Sequence, residues 1–386
     1  MRSLVVAPFF SNESTTNRPL LASEVLARFG DVDIVTTDFD HHRKSRKPRF
    51  QFERDGRTVY YVRTREYRRN IGVARLISHA LFTYRAWQFL KTRRGQYDLV
   101  YATVPFNLLA FLSFKVFGKA LRVIDIVDIW PDVLPFSKVV RRLFAPVLAI
   151  WHRSFTAAVA SADLLLAVSE RFLQEALPAF RGTPDAARRL YIGHALIPRL
   201  TRGHTGRLTI AYIGNIGHLC DLQTLLDAIA ACGDTPKLLV IGDGDKLTWL
   251  LDSVKERGIP HEYFGVVYDE ARLAEILREA DLGFNGYRNT DAAFSYKATS
   301  YLASGLPLLN SMSGDLHELV SEFEIGFNYR SEDVEDLGNC LRAATPATLM
   351  RLRANAEKFF SEHLDQDQLK RELESWLCGH LHVVKR

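Results

Sequence analysis

Paired cysteines are missing from this chain. The four present, Cys220, Cys232, Cys340 and Cys378, all fall in the second half and form no C-x-x-C pair. A disulfide framework or zinc-thiolate site is therefore not expected, and reduced, mostly buried thiols are. Long apolar runs are missing too: the run from Leu108 to Ala120 is broken by Lys115 and Lys119, short of the roughly 20 residues a spanning helix needs. The opening MRSLVVAPFFSNES lacks a cationic n-region, a long h-region and a small-residue cleavage site. It reads as a first strand rather than a signal peptide, and a cytoplasmic location is expected. There is no repeat and no low-complexity tract, and a composition of 47% hydrophobic and 25% charged residues argues against disorder. His41, His42 and the terminal GHLH read as solvated loop histidines, so no metal site is expected.

At 386 residues the chain exceeds the size at which one hydrophobic core keeps growing, and two domains are expected. The formal net charge of +5 conceals an asymmetry. From Arg43 to Arg94 there are 16 Lys plus Arg against 3 acids, Glu53, Asp55 and Glu66, a local balance of +13 that leaves −8 elsewhere. A single arginine is ordinarily a solvated charge. This density, interleaved with Tyr60, Tyr61, Tyr67, Phe82, Tyr84, Trp87 and Phe89, points to an anionic partner. Nucleic acid and an anionic membrane both fit. Basic residues beside aromatics favour the membrane, each near-surface charge adding about 1 kcal/mol. The expected place is peripheral, at the inner face of the cell membrane.

Apolar runs that read as strands alternate with amphipathic stretches that read as helices. SLVVAPFF, DVDIVTTDF, TVYYVRT, YDLVYATVP, LRVIDIVDIW and DLLLAVS are strands of the first half, with helices at RPLLASEVLARFG, 71–94, FNLLAFLSFKVFG and 141–162. The polar connector PRLTRGHTGR opens a second set of strands, LTIAYIG, KLLVIGDGD, HEYFGVV, DLGFNGY and LPLLNS, again separated by helices. Such alternation implies parallel sheets with right-handed crossovers. The expected domains are 1–198 and 199–346, followed by a charged helical segment, 347–386, that by analogy packs back on the first. Ligands of such sheets bind beyond the carboxyl ends of the strands.

Four pieces of the second half carry a resemblance: IAYIGNIGHLCDLQTLLDAI, LLVIGDGD, EYFGVVYDEARLAEILREADLGF and SYKATSYLASGLPLLNSMSGDLHELVSEFEIGF. Their order and spacing over about 120 residues, Thr209 to Phe327, resemble the nucleotide-sugar glycosyltransferases of the GT-B fold, in particular the large retaining family 4. In the first half DIVDIWPDVLP, Asp125 to Pro135, is similar to the D-x-W-P element of that family. GNIGHLCDL and SYKATSYLASGLPLLN look most like enzymes that build capsular, exopolysaccharide or O-antigen units on a lipid carrier. The resemblance implies an α/β GT-B architecture, two facing Rossmann-like domains with parallel sheets and an inter-domain cleft. It also implies a UDP-, GDP- or dTDP-sugar as donor substrate, no further cofactor, retention without a metal ion, and a polyprenyl-diphosphate-linked saccharide as acceptor.

On that resemblance Lys297, in the first turn of the helix after DLGFNGY, is the expected catalytic cation. Charge that develops on a departing diphosphate is stabilised by a fixed cation and a helix N-terminus, at about 3 kcal/mol for one preorganised contact. The donor is expected on Gly214, Asn215, Gly217 and His218 of IGNIGH, Gly242 and Gly244 of GDGD, and Tyr296 and Ser300. Asp243 and Asp245 stand in D-x-D spacing, read as coincidence. Asp128 is the expected group that orients or deprotonates the acceptor hydroxyl, a helix cap or arginine partner being the other reading. Asp125, Trp130, Arg18, Arg65, Arg68 and Arg69 would complete the acceptor side, with Arg63 beside them. Three departures stand out. Asn215 and Cys220 occupy the positions of two phosphate-binding cations, Ala292 and Ser300 those of the E-x7-E glutamates, and the first loop, FFSNESTTNRP, has no glycine. Arg288 and Arg18 are candidates for replacement charge. Two rival readings, a nucleotide-sugar 2-epimerase of the same fold and a non-catalytic partner subunit, remain open at this point.

Overall fold

The computed structural model describes residues 1–11, 17–41, 43–47, 52–68, 72–130, 142, 145–195, 206–288 and 294–381. Two compact units emerge: unit 1 is Met1–Tyr191 with Leu369–Arg386, and unit 2 is Ile192–Gln368.

In unit 1 the strands are β1 (Ser3–Val6), β2 (Val32–Thr37), β3 (Phe39–Asp40), β4 (Ser45–Arg46), β5 (Phe52–Arg54), β6 (Arg57–Val62), β7 (Leu99–Val104), β8 (Leu121–Ile126), β9 (Leu164–Ala167) and β10 (Ala187–Arg189). Eight of them form one sheet in the order β10-β9-β8-β7-β1-β2-β6-β5, parallel except where β5 pairs with β6, while β3 and β4 form a separate antiparallel pair. β1, β2, β7 and β9 are buried at every residue, because helices cover both faces of a parallel sheet. The helices are α1 (Arg18–Ala27), α2 (Val73–Lys91), α3 (Asn107–Val116), α4 (Ala145–Ala160) and α5 (Glu170–Ala176). The Asn17 side chain accepts from the Leu20 amide to start α1, with Pro19 in the first turn.

Unit 2 holds β11 (Thr209–Asn215), β12 (Lys237–Asp243), β13 (His261–Tyr263), β14 (Leu282–Asn285), β15 (Leu308–Asn310) and β16 (Gly326–Asn328) in one all-parallel sheet, ordered β13-β12-β11-β14-β15-β16. Its helices are α6 (Leu222–Ala230), α7 (Leu247–Glu256), α8 (Glu270–Leu277), α9 (Tyr296–Ala303), α10 (Asp315–Glu322), α11 (Val334–Ala343) and α12 (Pro346–His363). The terminal segment divides. α12 packs against α9 within unit 2, whereas α13 (Gln366–Leu381) seats Leu369, Leu373, Trp376 and Leu377 in the core of unit 1. Those four residues share one helical face, and each contributes about 1.5–3 kcal/mol by burial.

Strand order reverses between β11 and β14 in unit 2 and between β1 and β7 in unit 1. The carboxyl ends at such reversals are where open parallel sheets place ligands.

Candidate active site

Glycines line the strand ends of unit 2: Gly214 on β11, Gly242 on β12 and Gly244 just beyond it. Gly214 and Gly242 face each other in register on β11 and β12. A Cβ on Gly242, whose φ is +140°, would lie 1.9 Å from the Gly214 carbonyl oxygen, so no side chain fits there. The loops that follow are knit together: the Ile216 amide donates to the Asp243 carbonyl at 2.8 Å, and the Lys246 amide to the Ile216 carbonyl at 3.0 Å. The Asp243 carboxylate accepts from the Gly244 amide at 2.7 Å. Asn215 and His218 are exposed on this rim.

Lys297 is the second residue of α9, whose start is fixed by the Ser295 hydroxyl accepting from the Ala298 amide. Its stem crosses Gly214, where φ is +116° and an added Cβ would come within 3.3 Å of Lys297 Cδ. The glycine thus serves the lysine as well as the turn. The ammonium lies 4.1 Å from the Tyr287 ring centroid and 4.8 Å from that of Tyr212, with Cys220 Sγ at 3.9 Å. Among the described residues no carboxylate pairs with it. Tyr296 is 48% exposed beside it. The Ser300 hydroxyl donates back to the Tyr296 carbonyl at 3.2 Å, which leaves its oxygen as an acceptor.

The two arginines considered for replacement charge both stand beside carboxylates. Arg288 Nε stands 3.5 Å from Asp221 and 3.6 Å from Glu332. Arg18 and Asp125 form a buried ion pair within unit 1: Nε and Nη2 of Arg18 meet the two carboxylate oxygens at 2.9 and 2.6 Å, and Nη1 donates to the Leu190 and Tyr191 carbonyls. Tyr101 donates to the same carboxylate. Arg18 is 4% exposed and Asp125 0%, so both head groups are spent inside the unit. Removing one partner of such a pair costs about 3–5 kcal/mol.

Asp128 lies just past β8. Burial raises its carboxyl to about 6, against the opposing pull of the Trp130 and Ile129 N–H groups and of Arg75. Trp130 Nε1 donates to it at 2.5 Å. The indole is stacked on His79 at 5.6 Å and carries the Arg75 guanidinium over its ring at 4.4 Å. Burial first, then Arg75 and His41, lower His79 to about 3, so the imidazole is neutral near pH 7, with Nε2 facing Arg75 Nε at 3.5 Å. Arg63, Arg65 and Arg68 are exposed; Arg69, His42 and Ala292 lie outside the described residues. His41 Nδ1 is 2.6 Å from the Tyr67 hydroxyl. Among the described residues no cluster of three or more metal-ligating side chains occurs, and no helix is long and apolar enough to cross a membrane.

Sequence reasoning missed the rings around Lys297 and the Arg75, His79 and Tyr67 surround of Asp128. Only one signal pointed to the former: Tyr287 stands two residues past the end of β14 and in the sequence segment before Lys297.

The fold is that of the GT-B glycosyltransferases. HepE from Anabaena, in complex with UDP and glucose, aligns with a TM-score of 0.67 at 16% identity, over 98% of this chain and 100% of that one. Sucrose-phosphate synthase from Thermosynechococcus elongatus aligns with a TM-score of 0.72 at 14% identity, over 99% of each chain. WaaG, a glycosyltransferase involved in lipopolysaccharide biosynthesis, gives 0.65 at 14% identity, over 97% of this chain and 99% of that one. Residues 207–345 match the family described as Glycosyl transferases group 1. The chain thus has the GT-B fold, and within unit 2 a stretch similar to the group 1 glycosyl transferases. No curated protein matches it by sequence.

Proposed function

We propose that unit 2 binds a nucleoside-diphosphate sugar at the ends of β11, β12 and β14, and that the enzyme passes the sugar with retention to a lipid-linked saccharide received by unit 1. UDP-sugars are the first donors to test, since HepE is known in complex with UDP-glucose. The observation that carries this reading is the Lys297 ammonium, free of any carboxylate among the described residues and laid across Gly214 at the strand-order reversal. As the bond between the sugar and the diphosphate breaks, negative charge accumulates on the leaving oxygen, and a cation already in place stabilises it more than the ground state. The first-turn amides of α9 add the positive end of the helix dipole. Asp128, ionised above about pH 6, suits the task of orienting the acceptor hydroxyl and taking its proton.

A lipid-linked acceptor fits the surface of unit 1. Val73, Leu76, Ile77 and Tyr84 are 67%, 44%, 43% and 57% exposed along one stripe of α2, near the exposed Arg63, Arg65 and Arg68. Apolar residues beside cations dock on anionic headgroups, consistent with a place at the inner face of the cell membrane and a role in polysaccharide assembly. A melting screen against UDP, GDP, dTDP, CDP and ADP tests the donor reading. At a hundredfold excess over the dissociation constant the bound nucleotide adds about 2.7 kcal/mol. A chain that none of them stabilises is not a donor-binding transferase, and conversion of a UDP-sugar alone to its epimer would select an epimerase.

A further inference from the structure

Lys297 is held in an unusual way for a cation that must stay charged. We infer, resting on the donor reading above, that Tyr287 and Tyr212 are positioning residues: their ring faces hold the Lys297 ammonium in register with the glycine-lined strand ends, in place of a carboxylate partner.

Both rings are themselves fixed. Tyr212 is fully buried on β11, and its hydroxyl donates to the Asn215 carbonyl at 2.6 Å with Cys220 Sγ 2.9 Å away. Burial pushes its phenol far above the usual range, so the ring stays neutral. Tyr287 is pinned through its backbone. Its amide donates to Ser311 Oγ at 2.8 Å, its carbonyl accepts from Ser311 and Ser331 hydroxyls at 2.9 and 2.8 Å, and its strand end bridges to Cys220. The two rings therefore reach the lysine from β11 and from the end of β14, the two strands that flank the reversal.

The choice of partner has an electrostatic consequence. A carboxylate at 3–4 Å would orient the ammonium but cancel most of its field at a phosphate oxygen beyond. An aromatic face attracts the cation through its quadrupole and carries no net charge, so the whole positive charge remains available to the leaving group. The thiol of Cys220, a weak acceptor, completes the enclosure without neutralising it. Positions 292 and 300, where the sequence resemblance would put glutamates, hold Ala and Ser, so neither position brings an acid that would offset the ammonium's charge.

The test compares Tyr287→Leu and Tyr287→Phe with the parent chain, alone and combined with Lys297→Ala. Tyr287 is only half-buried, and the melting midpoint of each variant without nucleotide confirms folding. With lysine labelled at Cε, the Lys297 ε-methylene resonance, assigned by its loss in Lys297→Ala, is expected upfield under the ring currents. It should stay there in Tyr287→Phe and return toward the free-lysine position in Tyr287→Leu. With UDP as the probe, Tyr287→Leu is expected to weaken binding about fivefold, Tyr287→Phe to leave it within twofold, and Tyr287→Leu to cost nothing further once Lys297 is Ala. An unshifted ε-methylene in the parent overturns the inference, as does an equal loss in Phe and Leu variants or a Tyr287→Leu penalty that persists without the lysine. An upfield ε-methylene in a protein that binds no nucleotide keeps the geometry and overturns the donor reading instead.

Discussion

Asp128→Asn should stabilise the protein above neutral pH while disabling it. Burial raises the native carboxyl from 3.8 to about 6. A carboxyl whose native pKa exceeds its unfolded value keeps a proton that the unfolded chain releases. Stability therefore falls as pH rises through the window from about 4 to about 6, and the cost is complete above it. The gap sets a ceiling of about 3 kcal/mol. Asp128 is only partly buried, and solvent screening reduces this to about 1–2 kcal/mol, or roughly 2–8 °C in the melting of a unit this size. Asparagine keeps an oxygen for Trp130 Nε1 but carries no charge to desolvate. Scanning calorimetry of both proteins from pH 4 to 8 should give midpoints that nearly coincide at pH 4 and diverge in favour of the variant by pH 7.5. Turnover at pH 7.5 should fall by about 10²- to 10⁴-fold, as for a lost general base. A midpoint difference that does not change with pH, or a parent chain more stable at pH 7.5, would refute the assignment of a desolvated carboxylate.

Three further outcomes are expected. His79, held neutral with its pKa near 3, opposes protonation in the native state, so stability is lost as pH falls through about 6.5; His79→Phe should flatten that acid limb in the same calorimetry. Gly242→Ala should destabilise the chain by more than about 2 kcal/mol and abolish any nucleotide-induced rise in melting point, because the new methyl meets the Gly214 carbonyl; urea titration reads the loss. Leu76→Glu with Ile77→Glu should reduce sedimentation with vesicles containing phosphatidylglycerol at least tenfold without changing the melting point, since both side chains are solvent-exposed.

The strands of both sheets were legible because a parallel sheet buried on two faces writes uninterrupted apolar runs such as LLVIG and DLLLA. Strands β3, β4, β5, β10 and β16, two or three residues each, are too short to carry any period, whereas the equally short β13 and β15 lie inside the longer apolar runs HEYFGVV and LPLLNS. Lys297 was visible through its place after DLGFNGY, but its ring enclosure joins residues from separate strands, and nothing local in the sequence relates Tyr212 to Tyr287. Asp125 shows the opposite failure. A carboxylate near the end of a buried strand reads the same whether it faces a ligand or a buried cation, and its partner Arg18 lies 107 positions away. Asp128, three residues on, lies past the strand among Trp130, His79 and Arg75, a setting written in packing rather than in spacing.

Calorimetric titration of UDP into the parent chain and into Lys297→Ala bears most directly on the role given to the uncompensated ammonium. Loss of one charge-assisted contact to the diphosphate should weaken binding about 10- to 100-fold, with the melting point of the free protein unchanged. Equal affinities in the two proteins would contradict it.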